Sequence, residues 1–150
     1  MSTEPVFEPD RVIAALNEAE IDYVVVGGLA VAAHGVVRAT RDLDIVPGGD
    51  KPNMDQLAHC LASLGGQHPI EGRLTGTALA RPRSFKVTTR HGDVQIINRM
   101  HGVPPFEALR RDQIRVEIAP DAIAPVCSLA HLRAVKLTAD RPRDRVDLVC

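Results

Sequence analysis

The chain has 150 residues, room for one domain with a real core, and its 45% hydrophobic and 25% charged content is ordinary for a globular protein. A net charge of −1 supplies no global field toward nucleic acid or membrane, so a nucleic-acid partner would need a local basic patch. No stretch approaches the ~20 apolar residues of a membrane helix; Met1–Asp10 lacks the basic start and apolar run of a signal peptide; and 3% aromatics with no tryptophan removes the stacking platform of a single-strand binder. Cys60, Cys127 and Cys150 are scattered and odd in number, which predicts reduced thiols in a cytoplasmic protein rather than a disulfide framework.

In chain order, residues 1–9 read as a loose leader. Asp10 can cap a helix running to about Glu20, with Val12, Ile13, Leu16 and Ala19 on its apolar face. Ile21–Val26 is a β-branched strand bounded by Gly27-Gly28. Leu29–His34 is almost wholly apolar and reads as a short buried helix ending at Gly35. A second strand covers Leu43–Val46, with Asp42 just ahead of it, and closes at Pro47-Gly48-Gly49. Asn53–Leu64 is a helix with Met54, Leu57, Ala58, Leu61 and Leu64 inward. Residues 65–83 lack periodicity and read as an ordered loop or a short irregular strand. Ser84–Thr89 and Val94–Asn98 are strands joined by a hairpin turn at Arg90-His91-Gly92-Asp93. Phe106–Arg110 is one helical turn after Pro104-Pro105, and Ile114–Ile118 alternates like a strand. Ser128 can cap a helix from Leu129 to about Ala139, and Asp144–Cys150 starts a last one after Arg141-Pro142-Arg143. The fold class is α/β (α+β): a single domain over 1–150, built on a small mixed sheet flanked by helices.

Two pieces carry chemistry. Tyr23-Val24-Val25-Val26-Gly27-Gly28 ends a buried strand in a glycine pair. Asp42-Leu43-Asp44-Ile45-Val46 puts two carboxylates on one strand face, because residues i and i+2 share a face. Adjacent like charges repel unless a cation neutralises them, and Mg²⁺ typically takes one or two carboxylates plus phosphate oxygens. A glycine pair opening a helix offers backbone N–H groups to phosphate, although a plain tight turn has the same sequence. No Gly-Lys-Ser/Thr follows the pair, and the Gly-x-Gly-x-x-Gly pattern is absent. Together the two pieces would surround one phosphate-sized space. Arg38 and Arg41 flank the acids and either hold a triphosphate or neutralise the carboxylates. Basic residues otherwise cluster at Arg81, Arg83, Lys86 and Arg90, and again at Arg133–Arg145. The six histidines have no ligand spacing, and His34 reads as a partly buried packing residue.

The run from Val24 through Gly27, Gly28, Leu29 and Ala30 to Gly35, Arg38, Thr40, Asp42 and Asp44 resembles the nucleotidyltransferase superfamily, the polymerase-β-like fold. Leu132–Leu137 followed by Arg141-Pro142-Arg143-Asp144 resembles the tail of small bacterial members, among them abortive-infection-type toxins of toxin–antitoxin systems. The resemblance implies Asp42 and Asp44 as catalytic metal ligands for Mg²⁺ or Mn²⁺. It implies Gly27, Gly28, Arg38, Thr40 and Arg41 around a nucleoside triphosphate, and Lys136 reaching phosphate oxygens. It also implies a third carboxylate on a later strand, at position 95, where this chain has Gln95. Asp93 either fills that catalytic, metal-binding role from two residues earlier or is a turn residue after Gly92.

The main reading is therefore a metal-dependent transfer of NMP from an NTP to a hydroxyl on RNA, protein or a small molecule, with an operon-encoded protein partner if the chain is a toxin–antitoxin component. The alternative, favoured by Gln95, is a catalytically silent module of the same fold that binds nucleotide or a protein partner. A third reading, an antibiotic-modifying enzyme, would need a second domain to hold its acceptor, for which 150 residues leave little room.

Overall fold

The computed structural model describes residues 6–35, 41–81, 84–98 and 102–132. Helix α1 (Pro9–Glu18) buries Val12, Ile13 and Leu16, the spacing of one helical face. Pro9 stands in its first turn, where a missing N–H costs nothing. The expected cap at Asp10 is corrected: Glu8 holds the cap position without a side-chain cap bond, and Asp10 lies inside the first turn, where its charge suits the helix dipole. The leader is also less loose than expected over its described part. The Glu8 N–H donates to the His91 carbonyl at 2.7 Å, and Glu8 Oε1 pairs with His91 Nδ1 at 3.0 Å.

Strand β1 (Tyr23–Val26) is buried along its whole length. Helix α2 (Gly27–Ala33) follows at once, two residues earlier than the glycine pair suggested. Strand β2 (Asp42–Pro47) includes Asp42. Helix α3 (Lys51–Ser63) starts ahead of Asn53, because the Asp50 side chain accepts from the Asn53 N–H at 3.2 Å. The stretch expected to be irregular holds a bridge between His68 and Gly72 and a helical turn, α4 (Gly76–Leu79), capped by Thr75. Strands β3 (Ser84–Thr89) and β4 (Gly92–Ile97) form the hairpin, with β4 starting two residues earlier than expected. Helix α5 (Phe106–Arg111) and strand β5 (Ile114–Ala119) match the reading. Strand β6 (Ala122–Val126) was not foreseen. A helical turn then opens after Ser128, whose hydroxyl accepts from the His131 N–H at 3.2 Å. The helix expected to continue to about Ala139, and the one from Asp144, fall outside the described residues.

The sheet is mixed and six-stranded, in the order β3-β4-β2-β1-β6-β5. β2 runs antiparallel to β1 and parallel to β4, and β6 runs parallel to β1. The hairpins β3–β4 and β5–β6 form its two flanks. Leu43, Ile45, Val87, Val94 and Ile96 are fully buried on one face of the β2–β4–β3 half, each contributing about 1.5–3 kcal/mol of burial. The alternate residues of those three strands form the opposite, partly exposed face. Helix α2 packs against β1 and β2, α1 against β6, and α5 against β1.

Candidate functional site

The site is the polar face of β2, β4 and β3. The period of two separates it from the core: Leu43 and Ile45 go in, Asp42 and Asp44 go out. On β4 the same alternation turns Asp93 and Gln95 out. Parallel pairing sets Asp42 beside Asp93 and Asp44 beside Gln95. Asp93 is thus a strand residue in the ladder, not a turn residue. On β3, Ser84, Lys86 and Thr88 share this face, with Lys86 opposite Gln95 and Thr88 opposite Asp93.

Antiparallel pairing of β1 with β2 sets Val26 opposite Asp44, which carries the acid to the start of α2. Gly27 has φ +71°, and a Cβ there would overlap Asp44 Oδ2 and lie 2.8 Å from its Cγ. The Asp44 carboxylate therefore rests against a backbone position that only glycine leaves open. The glycine pair and the acid pair, separate in sequence, meet at neighbouring strand ends.

Lys86 is the residue the sequence reading missed at this face. Its Nζ lies 3.4 Å from Asp42 Oδ2 and 3.9 Å from Asp93 Oδ2. The three side chains are partly exposed, 47% for the lysine and 34% for each acid. The signal for it was the alternation of Ser84–Thr89, which turns Lys86 away from the core. The missing information was that β3 lies one strand from β2. Two other basic residues of that cluster are engaged elsewhere, Arg81 with Glu71 at 2.5 Å and Arg90 with the Ser63 carbonyl at 3.1 Å, and Arg83 lies outside the described residues. Gln95 donates its amide to the Ser84 hydroxyl.

Carboxylate oxygens beside a bare glycine make a hard donor set, which suits Mg²⁺ or Mn²⁺. Among the described residues no group of three or more Asp, Glu, His or Cys gathers closely enough to hold an ion alone. The fit is with an ion that takes one or two carboxylates and fills its other positions with water and phosphate. Gly27 and Gly28 lie at the α2 start, Arg41 is exposed just ahead of β2, and Arg38, Thr40 and Lys136 lie outside the described residues. His34 packs as expected, half-buried, with Nε2 at 2.9 Å from the Cys127 carbonyl. Cys60 and Cys127 are buried free thiols, and burial pushes the Cys127 thiol up to about 11. Neither is poised as a nucleophile. No described helix is long and apolar enough to cross a membrane.

No protein-family model and no curated protein matches the sequence. Solved structures do match. TM1012 of Thermotoga maritima, provisionally assigned as a nucleotidyltransferase, superposes with a TM-score of 0.61 at 16% identity, over 99% of this chain and 96% of its own. The lincosamide antibiotic adenylyltransferase LnuA, with lincomycin bound, gives 0.62 at 15% identity, over 97% of this chain and 96% of its own. The antibiotic-resistance factor ANT(2″)-Ia, in complex with adenylyl-2″-tobramycin, gives 0.60 at 15%, over 91% of this chain and 80% of its own. At such identities the likeness is one of architecture, and the fold of this chain is the nucleotidyltransferase fold.

Proposed function

We propose that the protein is a metal-dependent nucleotidyltransferase that moves an NMP group from an NTP to a hydroxyl. The observation that carries the reading is the Asp42–Asp44 pair, with Asp44 set against the bare Gly27 backbone and Asp93 in register beside Asp42. In this reading Asp42 and Asp44 hold Mg²⁺ or Mn²⁺, with Asp93 as the third carboxylate. A bound divalent cation supplies charge neutralisation at the triphosphate and activation of the attacking hydroxyl. Gly27 and Gly28 let phosphate oxygens approach the first turn of α2, where backbone N–H groups lack intrahelical partners. The acceptor oxygen forms a bond to the α-phosphorus in line with the α–β bridging oxygen, that P–O bond breaks, and pyrophosphate leaves with its electron pair. The hydroxyl proton passes to a site carboxylate. Arg38, Thr40, Arg41 and Lys136 complete the triphosphate contacts by resemblance.

The acceptor is a hydroxyl of RNA, protein or a small molecule. LnuA bears on the argument from chain length, because this chain covers 96% of an adenylyltransferase seen with its lincosamide. The need for a second domain therefore does not hold as an argument against small acceptors. A role in a toxin–antitoxin pair, with an operon-encoded partner, rests on the tail Leu132–Asp144 and is kept as part of the proposal. Gln95, tied to Ser84 opposite Asp44, favours a second reading, a silent module that binds nucleotide without transfer.

The test is calorimetric titration with each NTP, with and without Mg²⁺ or Mn²⁺, followed by turnover with acceptors of all three classes. Wild type should bind nucleotide in a metal-dependent way, and Asp42→Asn and Asp44→Asn should lose most of that dependence while staying folded. Asp93→Asn should abolish transfer as fully as Asp42→Asn. Equal nucleotide affinity with and without metal counts against the reading. Metal-dependent binding without turnover, together with activity gained in Gln95→Asp, moves it to the silent module.

A further inference from the structure

The carboxylates of Asp42 and Asp93 come from parallel neighbouring strands and face each other in register. Side by side, two like charges destabilise a sheet unless something compensates. Here the compensating group is part of the chain. The Lys86 ammonium reaches diagonally from the edge strand β3, past Gln95, to lie 3.4 Å from Asp42 Oδ2 and 3.9 Å from Asp93 Oδ2. Gln95 is turned to Ser84, so on β4 the amide does not compete for this ammonium. The flexible four-carbon stem of a lysine carries a point charge that can swing away without moving the backbone. An arginine in a fixed bidentate pair would be harder to displace.

We infer that Lys86 is a resident cation of the metal-free site: its ammonium bridges Asp42 and Asp93, offsets part of their charge, and must be displaced before a divalent ion can use those oxygens. The inference rests on the metal-site reading above and adds a property to it. The protein would hold its carboxylates in place when empty, at the cost of a weaker grip on free metal. The alternative role for such a lysine, a direct phosphate ligand, makes a different prediction. It would weaken binding of nucleotide when removed and leave affinity for the bare ion unchanged.

The experiment is isothermal titration of Mn²⁺ alone, without nucleotide, into wild type, Lys86→Met and Lys86→Arg, each checked for folding by circular dichroism. Lys86→Gln stands in if the methionine variant does not fold. Losing a partly exposed charge beside two carboxylates should tighten Mn²⁺ binding about fivefold, and high salt should narrow the difference. Lys86→Arg keeps the charge in a group that is harder to displace, and should bind Mn²⁺ no more tightly than wild type. In the absence of metal, Lys86→Met should melt lower than wild type, and saturating Mn²⁺ should remove that deficit. A change of less than threefold in Lys86→Met, or weaker binding, overturns the role of Lys86 while leaving the metal site standing. A rise in Lys86→Arg equal to that in Lys86→Met also overturns it, since charge is then not the cause. No Mn²⁺ binding by any of the proteins overturns the metal site, and this inference with it.

Discussion

At the scale of single residues, the site depends on side chains whose direction is set by a period of two and on one residue that has no side chain. Asp42, Asp44 and the glycine pair were legible because strand alternation and a Gly-Gly break are local signals. Their meeting was expected from the two pieces taken together and from the resemblance, and it is the pairing of β1 with β2, with Val26 opposite Asp44, that brings it about. Lys86 was not legible, because one lysine on a strand face is ordinary until the strand order is known. Gly27 gives the sharpest test at this scale. Gly27→Ala adds a Cβ at φ +71° that overlaps the Asp44 carboxylate, so the backbone is strained and Asp44 must move. The expected outcome is a loss of about 1–3 kcal/mol in stability, with metal-dependent nucleotide binding lost as well. Thermal melts and nucleotide titration of the variant check both. Unchanged binding would mean that the contact between Asp44 and Gly27 does not matter to the site.

At the scale of elements, the reading failed where local sequence and long-range pairing disagree. β6 contains Pro125 within Ala122–Val126, and a proline demotes a run as a strand because it cannot donate to the ladder. It is nevertheless an inner strand. Its ladder to β1 is short, with Val25 facing Val126, and the Cys127 N–H donates to the Val25 carbonyl at 3.0 Å beyond it. Helix α3 was placed well by its apolar face, but the role of Asn53 was hidden. Asn53 is buried. Its amide donates to the Gly48 carbonyl at 2.8 Å and the Asp22 carbonyl at 3.0 Å, and its Oδ1 accepts from the Asp22 N–H at 2.8 Å. It thus fastens α3 to the entry of β1 and the exit of β2, the two strands that meet at the site. Asn53→Ala leaves these buried backbone groups without partners, at about 1–3 kcal/mol for each group that water cannot reach. Chemical denaturation should show a loss of about 2–4 kcal/mol, far more than an exposed helix position would give. A loss under about 0.5 kcal/mol, the scale of a neutral surface change, would show that the clamp is not a stabilising feature.

At the scale of the whole molecule, the class of the sheet was legible from composition and alternation, whereas its order was not. Parallel pairing of β2 with β4 and of β1 with β6 is decided by how helices cross over the sheet, which no window of sequence reports. That order buries Tyr23 and Cys127 around the central strands, and their burial makes the fold sensitive to alkali. Desolvation pushes the Cys127 thiol up to about 11. It also raises the Tyr23 hydroxyl, against a lowering by Arg115, while that hydroxyl donates to Asn17 Oδ1 at 2.8 Å. A group whose folded pKa is raised binds its proton more tightly in the native state. Its contribution is fully present below the unfolded pKa and is lost as pH climbs through the folded one. For Cys127 that window runs from about 9 to about 11, and Tyr23 extends it upward from about 10. Stability should therefore hold steady across neutral pH and fall from about pH 9, with Cys127→Ser flattening the first part of the decline. Urea midpoints at intervals from pH 7 to pH 11 check the profile. A wild-type midpoint that stays constant over that range would mean the two groups are as solvated in the native protein as in the unfolded chain.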